Sequence, residues 1–81
     1  MNMIKEINNA YVDANNNEYR FKISKSIDKE YFELIIFCFL NRVSGPIYEC
    51  DQDSVTDLPS EYVSDEFKHY INKYIKNIAF T

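Results

Sequence analysis

The feature that most limits what this chain can become is the unbroken apolar run Leu34-Ile35-Ile36-Phe37-Cys38-Phe39-Leu40. It is apolar on both parities, so large side chains are left in water unless both sides find cover. Its seven residues fall far short of the ~20 that cross a bilayer as a helix, which sets a membrane aside as a partner. Its aromatic and β-branched content favours a strand. A strand apolar on both parities is a central one, covered on both faces, and the predicted span is Glu30 to Leu40. A buried helix over the same residues, capped by Asp28 and stopped before Gly45-Pro46, is the alternative.

A central strand needs neighbours, and the flanking sequence supplies them. Upstream, Tyr19, Phe21, Ile23 and Ile27 alternate with Arg20, Lys22, Ser24 and Ser26, the period-2 pattern of a half-buried strand. Asp28-Lys29 turns the chain into the apolar run. Downstream, Ser44-Gly45 supplies a second turn and Ile47-Tyr48-Glu49-Cys50 a short return strand. In that hairpin Cys38 and Cys50, each six residues from Ser44, lie nearly opposite. They read as small hydrophobes in a reducing compartment rather than as a redox pair.

The two ends of the chain differ in clarity. Near the start, Ile4, Ile7 and Tyr11, with Met3, Ala10 and Ala14 beside them, suit a short helix. Alternation through Ile4 and Val12 leaves a strand open. Near the end, Phe67, Ile71, Tyr74, Ile75 and Ile78 line one helical face, with Tyr70 at its border. Ser64 is a natural N-cap, Asp65 and Glu66 put negative charge in the first turn, and Lys73 and Lys76 complement the last. A short extra turn at Pro59 to Val63 precedes it. The predicted fold is α+β: an antiparallel β-meander of three to four strands, a C-terminal amphipathic helix on one face, and a short N-terminal helix as an option. At 81 residues this is one domain, residues 1–81. The composition, 46% hydrophobic, is too apolar for intrinsic disorder.

Charge carries the functional signal. From Glu49 to Glu66 the chain holds Glu49, Asp51, Asp53, Asp57, Glu61, Asp65 and Glu66, with no Lys, Arg or His. That is seven of its 13 acids; the rest of the chain carries nine bases against six acids. A solvated connection, with two acids serving the helix dipole, accounts for part of this run. A negative surface that docks on a basic protein accounts for all of it, since such a surface speeds association and adds specificity. Tyr48 and Tyr62 lie beside or within the segment, and Tyr is a favoured interface anchor. The predicted partner-binding residues are therefore Tyr48, Glu49, Asp51, Asp53, Asp57, Glu61, Tyr62, Asp65 and Glu66.

Other chemistries fit poorly. The net charge of −4 repels a phosphate backbone, so nucleic acid is not an expected ligand. Arg20 and Lys22 share the outer face of the second strand, where cations also resist edge pairing. Asp51, Asp53 and Asp57 superficially resemble a calcium loop, but Val55, Thr56 and Tyr62 stand where the loop needs an oxygen ligand, Gly and Glu. One His, His69, and two Cys do not complete a zinc site without carboxylates. With a single Gly there is no phosphate-binding glycine loop. No catalytic residue, metal or cofactor is expected, and the chain reads as a non-enzyme. The Met1 to Ile7 stretch lacks the apolar core of a signal peptide, so the expected location is the cytoplasm.

In its acidic Glu49–Glu66 segment, its Tyr-rich character and its meander-plus-helix pattern from Tyr19 to Ile78, the chain resembles the small immunity proteins of bacterial toxin systems, among them those of contact-dependent inhibition and Maf-type loci. The resemblance implies a small cytoplasmic inhibitor that neutralises a cognate toxin, often a nuclease, by covering its basic active site. Phage-encoded inhibitors of host defence nucleases, of the anti-CRISPR kind, fit the same description. A structural subunit that buries the Leu34–Leu40 faces in a homodimer or larger homo-oligomer is a further alternative.

Overall fold

Alternation along residues 18–26 builds the first firm element, and the sheet grows outward from it. The computed structural model describes residues 4–26 and 30–78. Four strands follow in order: β1 (Ile4–Val12), β2 (Glu18–Ser26), β3 (Glu33–Leu40) and β4 (Val43–Asp51). They pair antiparallel as a meander, β1-β2-β3-β4. After β4 a 3₁₀ turn, Val55–Asp57, leads to the helix α1 (Asp65–Asn77). The expected turn at Asp28-Lys29, and the place of Ile27, lie outside the described residues.

One face of the sheet carries the core. Tyr19, Phe21 and Ile23 of β2 and Leu34, Ile36 and Cys38 of β3 are buried against Phe67, Ile71 and Ile75 of α1. Val55, Leu58 and Val63, from the segment that links β4 to the helix, complete it. The helix lies over the β1–β2 side of the sheet. Tyr70 stacks on Tyr11 with centroids 4.2 Å apart, Phe67 on Tyr19 at 4.3 Å, and Tyr74 meets Phe21 edge-on at 5.5 Å. Such offset and edge contacts contribute ~0.5–1.5 kcal/mol each beyond simple burial. The predicted N-cap forms: the Ser64 hydroxyl accepts the Phe67 N–H at 3.2 Å, a contact that contributes about 1 kcal/mol. Lys68 is buried along its stem under the linking segment, and its ammonium donates to Ser60 Oγ at 3.1 Å.

Four expectations need correction. Residues 4–12 form an edge strand, not a helix. Ile7 and Tyr11 are four apart, a spacing that suits one face of a helix and one face of a strand alike; Asn8 and Asn9, poor helix formers, and pairing along the whole of β2 decide for the strand. The β3–β4 turn sits at Asn41-Arg42, not Ser44-Gly45: both residues are left-handed, with φ of 52° and 65°, as a two-residue hairpin loop matched to strand twist requires. β4, at nine residues, is accordingly more than twice as long as expected and its register differs. Cys50 pairs with Leu34 rather than Cys38. Cys38 faces a bulge where Gly45 and Pro46 of β4 span a step that one β3 residue covers; Pro is tolerated there because β4 is an edge. Last, β3 is central but covered on one face only. Phe37 on the other side is 38% exposed.

Candidate functional site

The acidic run threads through three structural settings, so it does not form one patch. Glu49 and Asp51 belong to β4, and their row positions put them on the sheet face opposite the helix: Glu49 aligns with Ile35 and Asp51 with Glu33. Asp53 and Asp57 lie on the linking segment, which turns at the end of β4 and runs back beside α1. Glu61 and Tyr62 follow on the same segment, and Asp65 and Glu66 begin the helix at the far end of the sheet.

Several of these carboxylates already have structural duties. Asp51 Oδ1 accepts the Asp53 N–H at 3.0 Å and the Ser54 hydroxyl at 2.8 Å, fixing the exit from β4. Glu66 Oε1 accepts the Ala14 N–H at 3.2 Å, and Oε2 accepts the Tyr11 hydroxyl. That bond, helped by burial and by the negative charge of Glu66, pushes the Tyr11 phenol up to about 12. Asp65 accepts from Ser60 and lies 3.8 Å from Lys68. Glu49, Asp53, Asp57 and Glu61 are exposed, and among the described residues none of their carboxylates has a hydrogen-bond or ion-pair partner.

The two tyrosines differ in exposure but share a neighbourhood. Tyr48 is half-buried on the helix side of β4, opposite Ile36. Burial raises its phenol pKa, and nearby Tyr62 and Glu61 add to the shift. Tyr62 is 37% exposed. Asp53, Asp57 and Glu61 thus follow the linking segment towards a Tyr48–Tyr62 pair on the β4 side of the molecule, while Glu49 points away from them. Among the described residues no group of three or more His, Cys, Asp or Glu side chains is placed to hold a metal ion. Cys38 and Cys50 are free thiols, and burial pushes both up to about 11, which keeps them protonated and poorly nucleophilic at neutral pH. Among the described residues no helix is long and apolar enough to cross a membrane.

Two polar features escaped the sequence reading. Asp13, in the β1–β2 loop, is a buried carboxylate, 6% exposed. Its Oδ1 accepts the N–H groups of Asn15 and Asn17, both at 2.9 Å, and Oδ2 takes Asn17 Nδ2 at 3.2 Å and the Tyr19 hydroxyl at 3.5 Å. Tyr19 Oη in turn accepts the Ser64 N–H at 3.0 Å, which ties the hairpin loop to the helix cap. Glu33 is the other: opposite Asp51 and near Glu49, it adds an acid to that corner of the open face. Its signal was parity, since it precedes Ile35 and Phe37 by even steps. No family model, curated protein or solved structure matches this chain.

Proposed function

We propose that the chain is a non-enzymatic inhibitor that docks on a basic protein, a nuclease toxin being the fitting target, in the manner of an immunity protein. The single observation that carries this is the set of exposed, unpartnered carboxylates Asp53, Asp57 and Glu61 along the linking segment, the last of them with Tyr62 beside Tyr48. Carboxylates left free of internal pairs keep their full attraction for an incoming cation. Tyrosines alongside offer rigid apolar area with a polar tip, the kind of anchor that interfaces use. Asp51, Asp65 and Glu66 support the surface from within the fold, and Glu49 belongs to another face.

The test is capture from a lysate of the cells that make the chain, run side by side with Asp53→Lys/Asp57→Lys/Glu61→Lys. The wild type is expected to retain a basic nuclease that elutes as salt rises, and the reversed variant to associate with it at least ~10-fold more slowly. Equal retention of the same protein by both forms would remove this surface from the interface.

A further inference from the structure

We infer that the sheet face opposite the helix is a docking surface for a second copy of this chain, paired about a two-fold axis that runs along β3. This surface is independent of what the β4 flank binds.

The face is built in rows fixed by strand register. One row reads Asn8, Lys22, Ile35, Glu49; the next reads Ala10, Arg20, Phe37, Ile47. Down its centre β3 presents Ile35, Phe37 and Phe39, and among the described residues no helix covers them. Phe37 is 38% exposed and Ile47 59% exposed, a contiguous apolar strip of the kind that marks an interaction surface on a small protein. Arg20 shields part of it, its guanidinium 5.4 Å from the Phe39 ring centroid.

Charge decides which partner fits. Within one row, Lys22 lies one strand to one side of Ile35 and Glu49 one strand to the other. A two-fold along β3 exchanges the two sides while keeping each row level. Lys22 of either copy then meets Glu49 of the other, twice, with Ile35, Phe37 and Phe39 packed on their own counterparts between. Stacked sheets lie ~10 Å apart, a gap that a Lys and a Glu side chain span together. A two-fold across the strands would instead bring the β2 cations Lys22 and Arg20 onto their own copies. The pattern therefore selects one isologous arrangement, in which the same patch serves both subunits. Against it stand the exposed Lys22–Glu6 pair, at 3.9 Å, which competes weakly, and the rim row in which Glu33 meets its own copy with Asp51 one strand away.

An axis along β3 overlaps only β2, β3 and β4 of the two copies; three strands at ~4.8 Å and about eight residues at ~3.3 Å give a face of roughly 380 Å² per copy. The total of about 760 Å² lies below the standard interface size, so the dimer is a weak one, with an expected Kd on the order of 0.1–1 mM. Sedimentation equilibrium across that range tests this. Lys22→Glu and Glu49→Lys are each expected to weaken the wild-type dimer at least ~10-fold, because each places like charges in both rows. An equimolar mixture of the two variants is expected to restore dimers, because every Lys22–Glu49 contact between unlike copies again carries opposite charges. Circular dichroism checks that both variants keep the wild-type fold. A wild type that stays monomeric to about 3 mM overturns the inference. So does a dimer indifferent to both reversals, or a mixture no more associated than its components.

Discussion

At the scale of single residues, the most consequential group is a carboxylate that binds nothing foreign. Asp13 is buried, and burial alone would raise its pKa; the hydrogen bonds from Asn17, Ser64 and Asn15 outweigh that and leave it lowered. A depressed folded-state pKa stabilises the fold above the unfolded value of ~3.9, and the contribution is lost as pH falls through the lower folded value. Asp13→Asn is therefore expected to cost ~1–3 kcal/mol near neutral pH and to flatten the acid limb of a urea-stability profile below about pH 4. A variant with the wild-type acid limb would mean that other carboxylates govern it. Tyr11 carries the opposite sign: its raised pKa adds stability below pH ~10 that is lost as pH climbs towards about 12. None of this was legible beforehand. Asp13 sits in a loop rich in Asn, and only the return of Tyr19 and Ser64 to the same point reveals that the loop is a scaffold.

At the scale of elements, the sequence was most informative where periodicity was long and unmixed. The 13-residue helix announced itself through Phe67, Ile71 and Ile75, its cap through Ser64. β2 did so through Tyr19, Phe21 and Ile23. The β3 run was legible as a central strand, yet an apolar parity does not reveal whether a layer covers it, and here one side is left open. The hairpin turn was misplaced because Asn41-Arg42 lacks the glycine that usually marks two left-handed positions, whereas Ser44-Gly45 carries one. The Gly45-Pro46 bulge absorbs that signal instead. Arg42, at φ 65°, is a strained position for a side chain, so Arg42→Gly is expected to raise stability by up to ~1 kcal/mol, or a midpoint gain of about 4–8 °C. Thermal denaturation followed by circular dichroism measures it, and a loss of stability would argue that the Arg42 contact with Asn16 outweighs the backbone strain.

At the scale of the whole molecule, the acid run turned out to be divided. Its seven carboxylates were legible as a composition anomaly, but which of them are free was not, because Asp51, Asp65 and Glu66 look the same in sequence as Asp53, Asp57 and Glu61. The fold sorts them by duty: the first three hold the β4 exit, the helix start and the β1–β2 loop, and the second three face water along the linking segment. The open sheet lies on the opposite side, so a dimer joined there leaves both acidic flanks outward and gives the assembly two equivalent docking surfaces. The account rests on the free carboxylates acting against a basic nuclease. The measurement that tests it most directly is the nucleic-acid cleavage rate of the captured protein, titrated with this chain at rising ionic strength. The account predicts stoichiometric loss of cleavage at low salt, weakening steeply towards 0.5 M as the screening length falls to ~4 Å. Cleavage that continues at saturating inhibitor, or inhibition that ignores salt, would contradict it.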